Sequence, residues 1–144
     1  NREEAMNIAV NAADYLIFAS ANEGSPLDGV PPTYYFPDNN ENYYGIVNDV
    51  AKERVNENML IYPAHVGIAY LNLYKVVKDK KYFDAALKIG EYYLENVCEN
   101  GTWHQLVSVE TGEPTTDSYC VPQKICEFIY NLFDITGEEK WKNI

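Results

Sequence analysis

Basic residues are scarce in the sequence: 11 Lys and Arg stand against 22 Asp and Glu, and the formal net charge is −11. Proteins that bind nucleic acid neutralise phosphates with Lys and Arg, so this balance argues against a nucleic-acid partner. Long apolar runs are also lacking, since none reaches the roughly 18 to 20 residues that a membrane-spanning helix requires. No signal peptide is recognisable either. We therefore expect neither nucleic acid nor a membrane span.

Cysteine is equally scarce, with Cys98, Cys120 and Cys126 as its three positions. No CxxC motif and no Cys/His cluster with the spacing of a zinc finger occurs, so we predict no metal site and no cofactor. We interpret the cysteines as small buried side chains on helices. A disulfide between Cys98 and either of the other two stays open for an exported protein.

Aromatic residues, in contrast, are abundant, with 13 Tyr, and several of them belong to an internal repeat. The stretches Tyr62–Tyr82 and Val121–Trp141 align at a constant offset of 59 residues. The pairs in register include Pro63 and Pro122, Asn72 and Asn131, Leu73 and Leu132, Tyr74 and Phe133, Lys81 and Lys140, and Tyr82 and Trp141. Proline, apolar and aromatic positions that keep one register are typical of a helical repeat.

Apolar periodicity predicts long helices at residues 3–19, 63–77, 83–97 and 122–135, and we add a short helix at 46–58. The first and third long helices carry polar stripes, as outer helices do, whereas the second and fourth are apolar nearly all round and should be interior. The predicted buried face of the first helix comprises Ala5, Ile8, Ala9, Ala12, Leu16 and Ala19. Its polar stripe comprises Glu4, Asn7, Asn11 and Asp14.

Residues 22–45 contain too many prolines for a regular helix and form the first of two long loops. Outer helix, long loop, inner helix and short turn then follow one another twice, so the long loops should meet at one end of the hairpins. Because the inner helices are too apolar for the open face of a solenoid, we predict an all-α fold that is part of an (α/α) toroid. Residues 1–144 would be a single segment of about two hairpins, truncated at both ends. Because its apolar faces are open, the isolated segment should self-associate or be only marginally stable.

The turns LYKVVKDKKY and LFDITGEEKW and the loop NGTWHQLVSVETGEP resemble the (α/α) toroid of carbohydrate-active proteins. That group includes six-hairpin glycosidases, toroid polysaccharide lyases and sugar epimerases. The resemblance implies a carbohydrate substrate, a catalytic cavity at the long-loop end, and an extracellular or periplasmic location. The stretch around Ser118 also resembles the cysteine-dependent arabinofuranosidases, which carry Glu at that position and a Cys-Cys pair that this chain lacks. We do not expect their chemistry here.

A glycoside hydrolase is the leading interpretation, because a lyase that acts on uronates needs cationic groups and the loops contain few. The alternatives are a non-catalytic helical-repeat module that binds glycan or protein, and a polysaccharide lyase or sugar epimerase. Glycosidases use two carboxyl groups roughly 5 to 9.5 Å apart. The carboxylates expected near the loop end are Asp28, Asp38, Glu41, Glu110, Glu113 and Asp117. We assign proton transfer to Asp117, five residues before Pro122, together with His65 in the first turn of an inner helix.

Aromatic side chains on loops suit sugar binding, because sugar rings present apolar CH faces that stack on flat rings. The predicted substrate-binding residues are Tyr34, Tyr35, Tyr62, Trp103, Tyr119 and Gln123. Trp103 has a second interpretation, as a core residue that plugs the end of the outer helices. For five further tyrosines we favour the core, namely Tyr70, Tyr74, Tyr92, Tyr93 and Tyr130.

Overall fold

The computed structural model describes residues 1–33, 54 and 56–142. In chain order its elements are helix α1 (Arg2–Ala19), strand β1 (Glu57–Met59), helices α2 (Ile61–Val77) and α3 (Lys80–Glu95), strand β2 (Leu106–Ser108), helix α4 (Gln123–Thr136) and a 3-10 helix (Glu139–Lys142). The chain is therefore mostly helical, as predicted, but the antiparallel pair of β1 and β2 corrects the all-α prediction. The predicted helix at 46–58 is wrong at its end, which forms β1. Its residues 46–53 and 55 lie outside the described part.

Helix α1 begins at Asn1, whose side-chain oxygen accepts hydrogen bonds from the backbone N–H groups of Glu3 and Glu4. Its buried face agrees only in part with the predicted one. The side chains that face the core are Met6, Val10, Ala13, Leu16, Ile17 and Ala19, so the prediction is confirmed for Leu16 and Ala19. Of the predicted face, Ala5, Ile8, Ala9 and Ala12 are exposed, Ile8 by 65%. The predicted and the observed set of apolar residues both fit the helical period. In the fold, α1 faces α3 with Asp14, which pairs with Lys81.

Helices α2 and α3 form an antiparallel hairpin. Near the turn, Tyr70 stacks on Tyr82 with ring centroids 6.3 Å apart. At the other end, the Tyr93 hydroxyl donates a hydrogen bond to the carbonyl of Leu60, just before α2 begins. This buried bond satisfies a phenol that would otherwise lie unpaired in the core, and burial raises the pKa of Tyr93 well above its usual value.

Helix α4 is antiparallel to α3 and runs in the same direction as α2. Tyr93 near the end of α3 lies edge-on to Phe128 early in α4, with centroids 6.3 Å apart, and Gly90 faces Leu132 further along. Helix α4 also rests on α2, where the Phe128 ring occupies the space beside Gly67. A Cβ atom at Gly67 would lie 2.4 Å from that ring, so the close approach of the two helices requires glycine there. Helices α2 and α4 are thus parallel, as predicted, and their interior positions in a toroid stay a prediction.

The C-terminal ends of α2 and α4 have the same geometry. Lys78 and Gly137, 59 residues apart, both adopt the left-handed conformation, with φ of 62° and 68°. The N–H group of each residue donates to the carbonyl four residues earlier, on Tyr74 and Phe133. Glycine is the usual residue in this conformation, so Lys78 is the strained member of the pair.

The residues after these turns also correspond. The Lys81 ammonium lies over the ring of Tyr82, 4.9 Å from its centroid, and pairs with Asp14 of α1 at 2.8 Å. The Lys140 ammonium lies 4.6 Å from the Trp141 ring and pairs with Glu91 of α3 at 3.3 Å. In both places, a lysine that lies over the neighbouring aromatic ring pairs with a carboxylate on an earlier helix, α1 or α3.

The N-terminal ends of the inner helices differ from each other. Pro63 is the third residue of α2, whereas Pro122 is the N-cap of α4. Neither proline occupies the predicted first helical position: α2 starts two residues before its proline, and α4 starts one residue after its own. Neither helix has a side-chain cap, as expected for N-caps Leu60 and Pro122. Instead, the Leu60 N–H group donates to the Gln105 carbonyl in the second loop.

The buried side chain of Asn58 in β1, with 1% exposure, links this strand to residues 31–33. Its amide oxygen accepts hydrogen bonds from the backbone N–H and the hydroxyl of Thr33, and its amide nitrogen donates to the Pro31 carbonyl. The Thr33 hydroxyl in turn accepts from the Met59 N–H. A single buried amide therefore joins two points of the chain that are 25 residues apart.

Candidate functional site

The second long loop is a β-hairpin that lies against the N-terminal end of α2. Its arms are joined by hydrogen bonds from the Cys120 N–H to the Trp103 carbonyl at 2.7 Å and from the Gln105 N–H to the Ser118 carbonyl at 2.8 Å. The chain turns at its tip, where Gly112 adopts the left-handed conformation with φ 73°. Because the Gln105 carbonyl also binds the Leu60 N–H, hairpin and helix are fixed relative to each other.

Several side chains with exposed area belong to the elements that meet at this end of the helices. We call Tyr62, His104, Asp117, Tyr119 and Gln123 the loop-end surface. Tyr62 and Gln123 stand in the first turns of the parallel helices α2 and α4, and the other three belong to the hairpin arms. The sequence-predicted residues Tyr62, Asp117, Tyr119 and Gln123 are therefore brought to one end of the molecule.

Tyr119 has a stacking partner within this surface. Its ring stacks on the His104 ring at 4.8 Å with an interplanar angle of 28°, and the two residues face each other across the hairpin. The side chain nevertheless keeps 47% of its area exposed. His104 Nδ1 is buried and has no hydrogen-bond partner among the described residues. The pair thus presents a flat, pre-positioned ring to solvent.

Trp103 is a core residue, which corrects its assignment to sugar binding. It has 0% exposure, its indole N–H donates to the Tyr93 carbonyl at 2.8 Å, and its ring lies edge-on to Tyr93. Successive side chains of an extended segment point to opposite faces. Trp103 therefore points into the core and His104 points outward. This alternation along the arm is the sequence signal that would have selected His104 for the surface, once the pairing of the two arms is known.

His65 and Asp117 are not joined by any hydrogen bond or ion pair that the structure describes. His65 is exposed on α2 and borders a groove between α2 and α1, next to Ala9, Ala12 and Ala69. Asp117 is exposed on the hairpin. The predicted proton-transferring pair therefore stays a prediction, with its two members on different elements.

The other candidate carboxylates have varied surroundings. Asp28 pairs with Lys88 of α3 at 2.9 Å and accepts a hydrogen bond from the Gly24 N–H. These contacts, Lys88 first, lower the pKa of Asp28 and make it a structural residue. Glu110 and Glu113 are exposed around the hairpin tip. The remaining predicted residues, Asp38, Glu41, Tyr34 and Tyr35, lie outside the described residues.

The cysteines are free thiols with unequal burial. Cys120 is buried, which raises the pKa of its thiol to about 11, and Cys98 is half-buried. Cys126 is exposed on α4, so its predicted burial is wrong. Within residues 1–33, 54 and 56–142, no group of three or more His, Cys, Asp or Glu side chains could hold a metal ion. None of the helices in that same part is long and apolar enough to cross a membrane.

Comparison of the chain with protein-family models, with curated proteins and with solved structures found no match.

Proposed function

We propose that this chain is part of an (α/α) toroid of the glycoside hydrolase type and that its loop-end surface binds carbohydrate. The observation that carries the proposal is the Tyr119 ring, which stacks on His104 and keeps 47% of its side chain exposed at the end of two parallel helices. A sugar ring stacks its CH face on such a ring, while neighbouring polar groups bind the hydroxyls. Asp117 and Gln123 are the polar groups of this surface closest in sequence to Tyr119.

The repeated geometry at the other end of the helices supports the toroid. The left-handed caps at Lys78 and Gly137 and the pairs of Lys81 with Asp14 and Lys140 with Glu91 follow one pattern. Such matched junctions are what a helical-hairpin array requires.

Hydrolysis is the second step of the proposal, and we assign its proton transfer to Asp117. Carbohydrate binding has more support than hydrolysis, because no described contact joins Asp117 to His65. For this reason a non-catalytic glycan-binding module is the second candidate function.

The test measures binding of a panel of neutral oligosaccharides by calorimetry with the wild type, Tyr119→Ala and Tyr130→Ala. Tyr130 is a matched control, since it is an exposed tyrosine on α4 outside the loop-end surface. We expect Tyr119→Ala to weaken binding by about 1 to 3 kcal/mol, the scale of an aromatic contact, and Tyr130→Ala to leave it unchanged. Equal losses in both variants, or no binding by the wild type, would overturn the proposal.

The variant Asp117→Asn distinguishes a glycoside hydrolase from a non-catalytic glycan-binding module. If the bound oligosaccharide is cleaved, release of reducing ends should fall strongly in this variant while its affinity stays near that of the wild type. Binding without any cleavage by the wild type would select the module.

A further inference from the structure

Two apolar grooves stand open, one before α2 and one after α4. The leading groove lies between α1 and α2 and has a volume of about 350 Å³. Its lining includes Ala9, Ala12, Leu16, Ala69 and Leu73. The trailing groove, of about 420 Å³, runs along α4 to the 3-10 helix. Its contributing residues include Cys126, Ile129, Tyr130 and Phe133.

The interface between α2 and α4 shows how two inner helices of this chain fit together. Phe128 of α4 is fully buried and fills the space beside Gly67 of α2. One turn after Gly67 on the same helix, Leu71 is also fully buried. One helix thus supplies a projecting ring, and the other supplies a glycine that admits it.

The repeat offset of 59 residues relates the open faces to this interface. Cys126 is the equivalent of Gly67, and Tyr130 is the equivalent of Leu71, yet Cys126 is exposed and Tyr130 is 66% exposed. Ala69 is the equivalent of Phe128, yet it is exposed in the leading groove. The open face of α4 therefore corresponds to the face of α2 that packs against α4. The open face of α2 corresponds to the face of α4 that packs against α2. The same exposure corrects the predicted core position of Tyr130.

We propose that in a sample of the 144-residue chain a second copy docks head to tail on these faces, in the place that a neighbouring hairpin takes in a toroid. Helix α2 of one copy then lies on α4 of the other, with Ala69 next to Cys126. The contact would continue the interface of α2 with α4 by one more inner helix. Side-chain size allows this contact, because Ala69 stands in the place of the Phe128 ring and Cys126 stands in the place of Gly67. The two faces are different, so the contact leaves a free face at each end and can extend beyond a dimer.

The net charge bears on the strength of this contact. Each copy carries a formal charge of −11, so two copies repel each other. Salt screens this repulsion and leaves apolar burial in place. We therefore expect association to strengthen as the salt concentration rises.

Disulfide trapping tests the arrangement with the whole 144-residue chain. In Ala69→Cys, diamide accepts two electrons and two protons from a pair of thiols and so leaves a disulfide between residue 69 of one copy and Cys126 of the next. We expect a ladder of dimers, trimers and longer species on non-reducing gels. The matched control Lys75→Cys, an exposed position elsewhere on α2, should give no ladder.

Two further variants make the result specific. Adding Cys126→Ser to Ala69→Cys should abolish the ladder, because Cys98 and Cys120 stand outside the proposed contact. Tyr130→Glu in the Ala69→Cys background should also abolish it by placing a charge in the interface. A ladder that persists in either double variant, cross-linking of the wild type through Cys126 of both copies, or a monomer in sedimentation at high salt would overturn the proposal.

Discussion

At their C-terminal ends α2 and α4 finish in the same way, whereas their N-terminal ends are built from different parts. Both helices close in a left-handed residue, Lys78 or Gly137, and a lysine over an aromatic ring follows. At the start, α2 is preceded by a strand and α4 by the arm of a hairpin. The C-terminal ends of α2 and α4 therefore match each other, and their N-terminal ends do not.

The two ends also differ in the range of their interactions. A left-handed cap needs one residue and the carbonyl four positions earlier, so it can be encoded locally. The loop end depends on β1 pairing with β2, where Glu57 lies opposite Ser108. Binding sites concentrate in such loops on rigid scaffolds, and this agrees with the exposed Tyr119 and Asp117.

The largest expected effect on stability comes from a substitution in the hairpin at the loop end. Trp103→Ala should lower the free energy of unfolding by about 3 to 5 kcal/mol, because it empties a fully buried site and removes the bond to the Tyr93 carbonyl. Urea denaturation measures it. Tyr119→Ala in the same hairpin is the control and should cost less than about 1 kcal/mol, since that ring is half exposed. Similar losses for both variants would mean that Trp103 is not the anchor of the hairpin.

An intermediate effect sharpens the comparison of the two caps. Lys78→Gly should stabilise the protein by about 1 kcal/mol, because glycine adopts φ 62° without the steric cost of a Cβ atom. Gly137→Lys should destabilise it by a similar amount, although the space around Gly137 is open. Thermal unfolding of the two variants checks the pair. Changes of the same sign would show that the caps are not equivalent.

The smallest effect concerns the ion pair of Asp14. Hydrogen bonds from Lys81 and then from Tyr82 lower the pKa of Asp14 below its usual value of 3.8. A depressed pKa in the folded state adds stability above the unfolded value, and this stability is lost as the pH falls through the folded value. Asp14→Asn should therefore cost less than about 1 kcal/mol at neutral pH, as for an exposed pair, and nothing in strong acid.

Chemical denaturation of the wild type and Asp14→Asn across acidic to neutral pH measures this difference. Glu91→Gln is the control at the equivalent junction, where the carboxylate meets Lys140. A difference between wild type and Asp14→Asn that grows toward low pH would contradict the assignment.

Much of the helical scaffold could be predicted from the sequence. The apolar period locates the four long helices of the described residues, and the 59-residue offset relates the turn at Lys78 to the turn at Gly137. The predicted buried face of α1 is right for Leu16 and Ala19 and wrong for the rest, because alanines fit either side of that helix. Which side packs depends on the tertiary contacts of α1, such as the burial of Ala13, and periodicity does not contain these contacts.

The candidate site was predicted less completely, for a physical reason. Trp103 and His104 are adjacent, and only the pairing of the hairpin arms decides which of them faces the core. The carboxylate of Asp28 is a plausible catalytic group in the sequence, but Lys88, 60 residues away, lies beside it in the fold. Long-range partners of this kind leave no periodic trace in the sequence.

The amide of Asn58 has a consequence for how this chain can vary. It fixes Thr33 and the start of β1 to each other, so the residues between them begin and end at one anchored point. Replacing this side chain would leave the Thr33 N–H and the Pro31 carbonyl without their partner, and an unpaired buried polar group costs about 1 to 3 kcal/mol. A side chain that holds both anchors at once therefore tolerates little change itself.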